Sequence, residues 1–186
     1  MSPGRSFCAI IILKGGRFMK KILGIIISFF VLIGITGCIS DSETNKVVTD
    51  TDGNSKTIFN LNETAIFDNV HYTVTNIEYS NGEEYDKPAE GKNYVIVTLK
   101  IENKSGSKIS YNALDWKMLN SQGQEDDEAF TIINSDTSLN SGDLADGGTK
   151  TGTLVYEQSQ NETSLKLLYY ADLFWDEKAT FEVIIK

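Results

Sequence analysis

Apolar and polar residues alternate with a period of two along most of the chain after residue 57. The clearest run places apolar side chains at Val95, Val97, Leu99 and Ile101. Successive side chains of a β-strand point to opposite faces, so this run predicts a strand with one buried face. Val70, Tyr72 and Val74 alternate with polar residues in the same way. Further alternating sets are Leu114, Trp116 and Met118; Leu154 and Tyr156; Leu165, Leu167 and Tyr169; and Phe181, Val183 and Ile185. The phase slips at Asn76, which predicts a β-bulge.

Turn residues separate these runs. They are Asn81-Gly82, Pro88 with Gly91, Ser105-Gly106, Gln122-Gly123, Ser141-Gly142 and Gly147-Gly148. Such pairs break strands and favour tight turns. No sequence after Cys38 sustains the 3.6-residue period of an amphipathic helix. About seven short strands with turns between them predict an all-β fold, an antiparallel β-sandwich of the immunoglobulin-like kind, over residues 57–186.

The N-terminal region has a different pattern, an uninterrupted apolar run over residues 22–35 that follows Lys20 and Lys21. It leads into Ile35-Thr36-Gly37-Cys38, which has the form of a bacterial lipobox. The run is shorter than the roughly 20 residues of a membrane-spanning helix, which favours a signal peptide. We therefore predict a lipoprotein signal peptide over residues 19–37 and lipidation of Cys38. The alternative is an uncleaved anchor helix, and in either case the rest of the chain lies outside the cytoplasm, on the cell membrane.

Two further segments flank this signal. Residues 1–18 are interpreted as a translated leader, because the codons for residues 14–19 can form a purine-rich ribosome-binding sequence followed by a start codon at Met19. Residues 38–56 are rich in Ser, Asp, Thr, Asn and Lys, with few apolar side chains. Such a composition predicts a flexible, polar tether. Abundant Ile and Lys with scarce Ala and Arg indicate an AT-rich genome, consistent with a Gram-positive host.

The exported part is strongly acidic. All 26 Asp and Glu residues follow Cys38, whereas five of the 17 Lys and Arg residues precede it, so the mature charge is −14 against −9 for the precursor. A surface of this sign repels nucleic acid and anionic lipid, which makes both poor partners. Colloidal solubility is a sufficient explanation of the excess of acid.

Reactive side chains are scarce. Cys8 falls in the leader and Cys38 is the predicted lipidation site, so the predicted domain has no thiol. His71 is the one histidine and stands in a strand, out of phase with its apolar neighbours. A single histidine without cysteine makes neither a typical transition-metal site nor a Ser-His-Asp or Cys-His arrangement. We expect a protein that is not an enzyme and has no cofactor.

Two acidic segments are weak candidates for a divalent cation. Glu125, Asp126, Asp127 and Glu128 are consecutive, and Asp143 and Asp146 are possible additional ligands if their loops meet. Four adjacent carboxylates repel one another, and a hard cation relieves that repulsion. The alternative is a solvated loop. The run that starts at Asp50 resembles a calcium loop for five residues and then fails, because Ser55 stands where Gly is needed.

Tyr169, Tyr170, Phe174 and Trp175 form the densest aromatic cluster. Strand alternation sends Tyr169 into the core and Tyr170 to the opposite face. Core packing explains part of the cluster, while an exposed remainder at Tyr170, Phe174 and Trp175 is a possible partner contact. Tyr85, in an acidic loop, is a weaker candidate for the same role.

Residues 88–104, from Pro88-Ala89-Glu90-Gly91 through the buried strand to Asn103-Lys104, resemble the signature of a telokin-like domain of unknown function. That family occurs in lipoproteins and exported proteins of Gram-positive bacteria. The resemblance extends over roughly residues 69–186 and includes the Trp116–Gly123 turn and the Gly152–Tyr156 strand. It implies an immunoglobulin-like sandwich and brings no catalytic residues. Many members have a proline where Asp146-Gly147-Gly148 stands, so that loop is expected to be looser.

Together these observations predict a lipid-anchored extracytoplasmic protein whose domain binds a partner in the envelope, the wall or a host. A structural spacer is the second possibility. A carboxylate-based enzyme acting on glycans is the third, and it requires paired acids in a cleft.

Overall fold

The computed structural model describes residues 46–172 and 178–186. Nearly all regular structure in these ranges is β-strand. The strands are β1 (Ile58–Phe59), β2 (Thr64–Phe67), β3 (Val70–Ser80), β4 (Lys92–Asn103), β5 (Ile109–Asn112), β6 (Trp116–Leu119), β7 (Glu125–Asp126), β8 (Ser141–Leu144), β9 (Thr149–Ser159), β10 (Lys166–Tyr169) and β11 (Phe181–Ile184). Short 3₁₀ turns at Ala113–Asp115 and Ser135–Thr137 interrupt them. Within the described ranges, no helix is long and apolar enough to span a membrane.

The strands form two main sheets and a small third one. One sheet has the order β2-β3-β4-β9, the second β1-β11-β10-β6-β7, and β5 pairs with β8. All pairings are antiparallel except β1 with β11, which is parallel. The predicted all-β sandwich is therefore confirmed, with more and shorter strands than the sequence indicated.

The core lies between the two main sheets and is built from the residues in the inward phase. The inner face of the four-stranded sheet buries Val70, Tyr72, Val74, Val95, Val97, Leu99, Ile101, Leu154 and Tyr156. The opposing sheet contributes Trp116, Met118, Leu167, Tyr169, Phe181 and Val183. Tyr72, Trp116, Tyr169 and Phe181 pack ring against ring, with centroids 4.7–5.8 Å apart. Such aromatic contacts add to the stabilisation that comes from burial alone.

The predicted irregularity in β3 is present. The register with β4 shifts between Val74 and Asn76, so that Ile77 pairs with Val97 and packs against the core. The bulge thus returns the apolar phase to the inner face. Leu114 differs from the prediction, because it lies in a 3₁₀ turn and is 60 % exposed, whereas Trp116 and Met118 are buried.

The folded part also begins earlier than predicted. Residues 46–56, which the composition places in the tether, lie against β2. Thr49 and Ile66 exchange backbone hydrogen bonds of 3.0 and 2.8 Å, and Val48 is buried in the core. One buried apolar side chain and the backbone hydrogen bonds to β2 are enough to hold residues 46–56 against the sheet. The amino-acid composition of the segment does not predict such a contact.

Candidate interaction surface

The four consecutive carboxylates of residues 125–128 take separate partners. Glu125 accepts a hydrogen bond of 2.9 Å from the Tyr170 hydroxyl, and Asp126 accepts one of 2.9 Å from the Gln158 amide. Asp127 forms an ion pair of 2.7 Å with Lys117. Burial raises the pKa of the half-buried Glu128 carboxyl. β7 ends at Asp126 and its two residues point to opposite faces, so the run does not converge on one point.

The additional ligands suggested by the sequence do not complete a cation site. Asp143 pairs with Lys108 at 2.7 Å and accepts from Ser110, and Asp146 accepts from the Gly106 amide at 2.9 Å. Over residues 46–172 and 178–186, no group of three His, Cys, Asp or Glu side chains is arranged to hold a metal ion. The structure therefore gives these acids local roles in turns and ion pairs.

The loop that resembles a calcium site is an ordinary turn. The Asp50 carboxylate accepts hydrogen bonds of 2.9 Å from the backbone amides of Asp52 and Asn54. These bonds lower the pKa of Asp50, the Asn54 amide contributing most. An Asp side chain that closes its own turn explains the motif.

His71 behaves as the strand phase predicts. It points away from the core and is partly exposed, and its Nδ1 lies 3.5 Å from the Lys104 amine. Partial burial lowers the pKa of His71, and the Lys104 charge lowers it further. The Glu102 carboxylate, on the residue opposite His71 in β4, acts in the other direction and raises this pKa.

Of the three predicted contact residues, only Tyr170 lies in the described ranges. It does point away from Tyr169, but it is 6 % exposed and its hydroxyl is bonded to Glu125. Burial and the Glu125 charge raise the pKa of Tyr170 to about 12. Tyr170 therefore does not supply the exposed aromatic surface that the sequence suggested. Phe174, Trp175 and the lipidation site Cys38 lie outside the described residues.

A different apolar surface is present on the loop that joins β7 to β8. Along this loop Ala129 and Ile133 turn inward and pack on Tyr94, Ile96 and Val155. Those three side chains lie on the outer face of the four-stranded sheet, because their strand neighbours point into the core. Phe130 and Ile132 turn outward, Phe130 fully exposed and Ile132 68 % exposed. We call Phe130, Ile132 and their loop the apolar tip.

The apolar tip is held in place by the carboxylate of Asp86. It accepts hydrogen bonds from the Thr131 hydroxyl, from the Ile132 amide at 2.7 Å and from the Tyr94 hydroxyl at 2.9 Å. These donors lower the pKa of Asp86, Thr131 most strongly. The Ala129 amide also donates to the Val155 carbonyl at 2.7 Å, which adds the loop to the edge of β9.

A second exposed aromatic side chain stands next to Asp86 in the sequence. This residue, Tyr85, is 91 % exposed. The sequence predicts Tyr85 as a weak candidate for a contact and does not predict Phe130 or Ile132 as contacts. The signal available was Ala129-Phe130-Thr131-Ile132-Ile133, an apolar sequence directly after four acids. The side chains of this sequence alternate in direction, but which of them are buried depends on the outer face of the four-stranded sheet, on which the loop packs.

Three solved structures of similar fold come from Bacillus species. The yjhA protein of Bacillus subtilis is 21 % identical, with a TM-score of 0.52 over 69 % of this chain and 99 % of that one. A proposed lipoprotein of Bacillus subtilis, ycdA, is 13 % identical, with a TM-score of 0.50 over 62 % of this chain and 36 % of that one. A conserved hypothetical protein of Bacillus anthracis is 12 % identical, with a TM-score of 0.50 over 76 % and 99 %. These similarities concern the fold, and no curated protein matches the sequence.

A family model covers most of the described domain. It matches residues 59–180, from the end of β1 to the residue before β11. The matched range contains the four-stranded sheet, the opposing sheet up to β10 and the apolar tip. The chain belongs to the family named domain of unknown function DUF4352.

Proposed function

We propose that this protein is an extracytoplasmic lipoprotein, anchored through a lipid on Cys38, whose β-sandwich binds a protein partner and catalyses no reaction. The observation that carries the binding role is the apolar tip. A large exposed aromatic and an exposed aliphatic side chain are held outward by a hydrogen-bonded loop. Exposed apolar side chains gain nothing for the fold and gain free energy when a partner covers them.

The anchoring role is supported by the lipobox and by the order of the segments. A signal sequence precedes Cys38, and ordered packing begins at Val48. The eight residue steps from Cys38 to Lys46 span at most about 30 Å when fully extended. The fold likeness to ycdA, itself a proposed lipoprotein, agrees with this localisation. The proposal includes two finer points. The sandwich is of the immunoglobulin-like, telokin-like kind, and the protein belongs to the envelope of a Gram-positive bacterium.

Two other functions compete with binding. A spacer needs only the folded domain and the anchor. A spacer role does not explain why the apolar tip is held outward by hydrogen bonds. A glycan-active enzyme needs paired carboxylates in a cleft. Among the described residues, five of the six acids named from the sequence are engaged with Tyr170, Gln158, Lys117, Lys108 and Gly106, which favours a structural use of them.

The anchor is tested by cell fractionation and lipid labelling. Cells expressing the full chain receive an alkyne-labelled fatty acid, and the protein is isolated with and without the substitution Cys38→Ala. We expect label and membrane retention in the wild type and loss of the label in the variant. Equal labelling of the two proteins contradicts lipidation at Cys38.

Binding is distinguished from a spacer role by cross-linking on intact cells with a membrane-impermeant amine-reactive reagent. Surface lysines such as Lys87 and Lys108 are available for this reaction. A binding module gives a discrete adduct that saturates as its expression rises. A spacer gives no adduct above that of an unrelated lipoprotein expressed at the same level.

A further inference from the structure

We infer that the apolar tip is the docking surface of this domain and that its partner is a protein with an apolar pocket flanked by Lys and Arg side chains. This inference rests on the proposed binding function. It identifies which part of the domain makes contact and what chemistry the partner presents.

The geometry of the tip suits an anchor residue. Ala129 and Ile133 fix the loop on the sheet, while Phe130 between them is fully exposed. Two hydrogen bonds to the Asp86 carboxylate, from the Thr131 hydroxyl and the Ile132 amide, hold the intervening loop, and a third, from the Tyr94 hydroxyl, fixes Asp86 to β4. A loop ordered in advance loses little conformational entropy on binding, and buried aromatic anchors dominate interface energies.

The acidic residues around the apolar tip indicate that the partner presents basic residues around its apolar pocket. Between Lys117 and Ser141, the part of the chain that carries the tip, five residues are acidic and none is basic, while the neighbouring loop contributes the exposed Lys87. Glu83 and Glu84, beside Tyr85, and Asp136, in the turn after the tip, are exposed and form no ion pair with another described residue. Acids left unpaired around an apolar centre complement a basic rim and repel an acidic one.

The position of the tip argues against lipid as the occupant. The described chain begins at Lys46, which pairs with Asp68 beside the Asn103 end of β4. Asp86 and the tip lie at the Tyr94 end of the same strand. The nine residue steps between Tyr94 and Asn103 correspond to about 30 Å of strand. The tip is thus at the opposite end of the sheet from the point where the chain leads to Cys38, and its acids repel anionic headgroups.

The test places a photoreactive benzoylphenylalanine in the full lipidated chain on intact cells, at position 130 or 132. Position 114 is the matched control, because Leu114 is 60 % exposed and lies in a 3₁₀ turn outside the tip. We expect one protein adduct from positions 130 and 132, at least tenfold weaker from 114. Mass spectrometry is expected to locate the cross-link in an apolar sequence with Lys or Arg nearby.

A charge-reversal variant, Glu84→Lys with Asp136→Lys, tests the basic rim. We expect the adduct from position 130 to fall at least tenfold, with the near-ultraviolet circular dichroism unchanged. An undiminished adduct overturns the basic rim. Adducts to lipid, or to a second copy of this chain, overturn the inferred partner class.

The two proposals fail in different ways. An adduct from position 114 alone removes the tip as the docking surface and leaves a binding function elsewhere. Absence of protein adducts from all three positions, in protein shown to be folded and anchored, overturns this surface. If amine cross-linking also yields no discrete adduct, the proposed binding function is overturned as well.

Discussion

If Phe130 serves binding and not folding, its removal leaves the free energy of unfolding almost unchanged. The side chain is fully exposed, so Phe130→Ala removes no buried area, and surface substitutions of this kind fall within about ±0.5 kcal/mol. Phe59 is the matched control, because it is completely buried and meets Phe181 edge to face with centroids 5.8 Å apart. Phe59→Ala is expected to cost about 3–5 kcal/mol.

The measurement is urea unfolding of the full chain in non-ionic detergent, followed by intrinsic fluorescence. Trp116 is buried among Tyr72, Tyr169 and Phe181, so its emission reports loss of the core. In thermal unfolding the same energies predict a fall in Tm of at least about 6 °C for Phe59→Ala and of about 1–2 °C or less for Phe130→Ala.

A loss of more than about 1 kcal/mol in Phe130→Ala exceeds what an exposed side chain contributes to folding and refutes the reasoning. Such a loss means that Phe130 is packed in solution and is unavailable as an anchor. Ile133→Ala provides the internal comparison within the same loop, because Ile133 is half-buried against Tyr94, Ile96 and Val155. It is expected to cost about 1–3 kcal/mol, since it leaves a cavity under the loop.

Three further predictions concern single polar groups. Tyr156→Phe is expected to stabilise the domain by about 1 kcal/mol in urea unfolding, because the buried Tyr156 hydroxyl has no hydrogen-bond partner among the described residues; a loss of stability contradicts this. Burial, and then the Asp172 charge, raise the pKa of Asp115 to about 6, so the stability contributed by this group falls as pH rises from about 4 to 6. Asp115→Asn is expected to remove that slope and to add about 1–2 kcal/mol at pH 7, after a discount for its solvent exposure; an unchanged slope contradicts it. The pKa of Asp86 is lowered, so its contribution is present above the ordinary value of 3.8 and is lost as pH falls through the folded value. The NMR shift of the Ile132 amide is expected to follow that titration in the wild type and not in Asp86→Asn.

The sandwich itself could be predicted from the sequence because its strands obey one rule, the alternation of apolar and polar residues. The phase of β4 identified the inner face at Val95, Val97, Leu99 and Ile101, and the phase slip located the bulge at Asn76. Both follow from the geometry of a single strand and need no knowledge of its neighbours.

The surface could not be predicted in the same way, because it depends on which elements cover one another. Ile96 lies in the outward phase of β4 yet is buried, since Ala129 and Ile133 cover it from a loop distant in sequence. Tyr170 is likewise in the outward phase and is buried with its hydroxyl on Glu125. The short segment around Val48 was assigned to a tether because composition does not report a single buried side chain. In each of these three cases the difference from the prediction is due to a tertiary contact, and the local sequence contains no pattern that would indicate such a contact.

We propose that this domain works outside the cytoplasm, held at the membrane by Cys38. The most direct test is the intact mass of the protein extracted from membranes, together with its N-terminal peptide. We expect a mature chain that begins at Cys38 and carries the added mass of a diacylglyceryl group, with or without a further acyl chain. A membrane-extracted protein that retains residues 19–37, or a Cys38 peptide of unmodified mass, would contradict it.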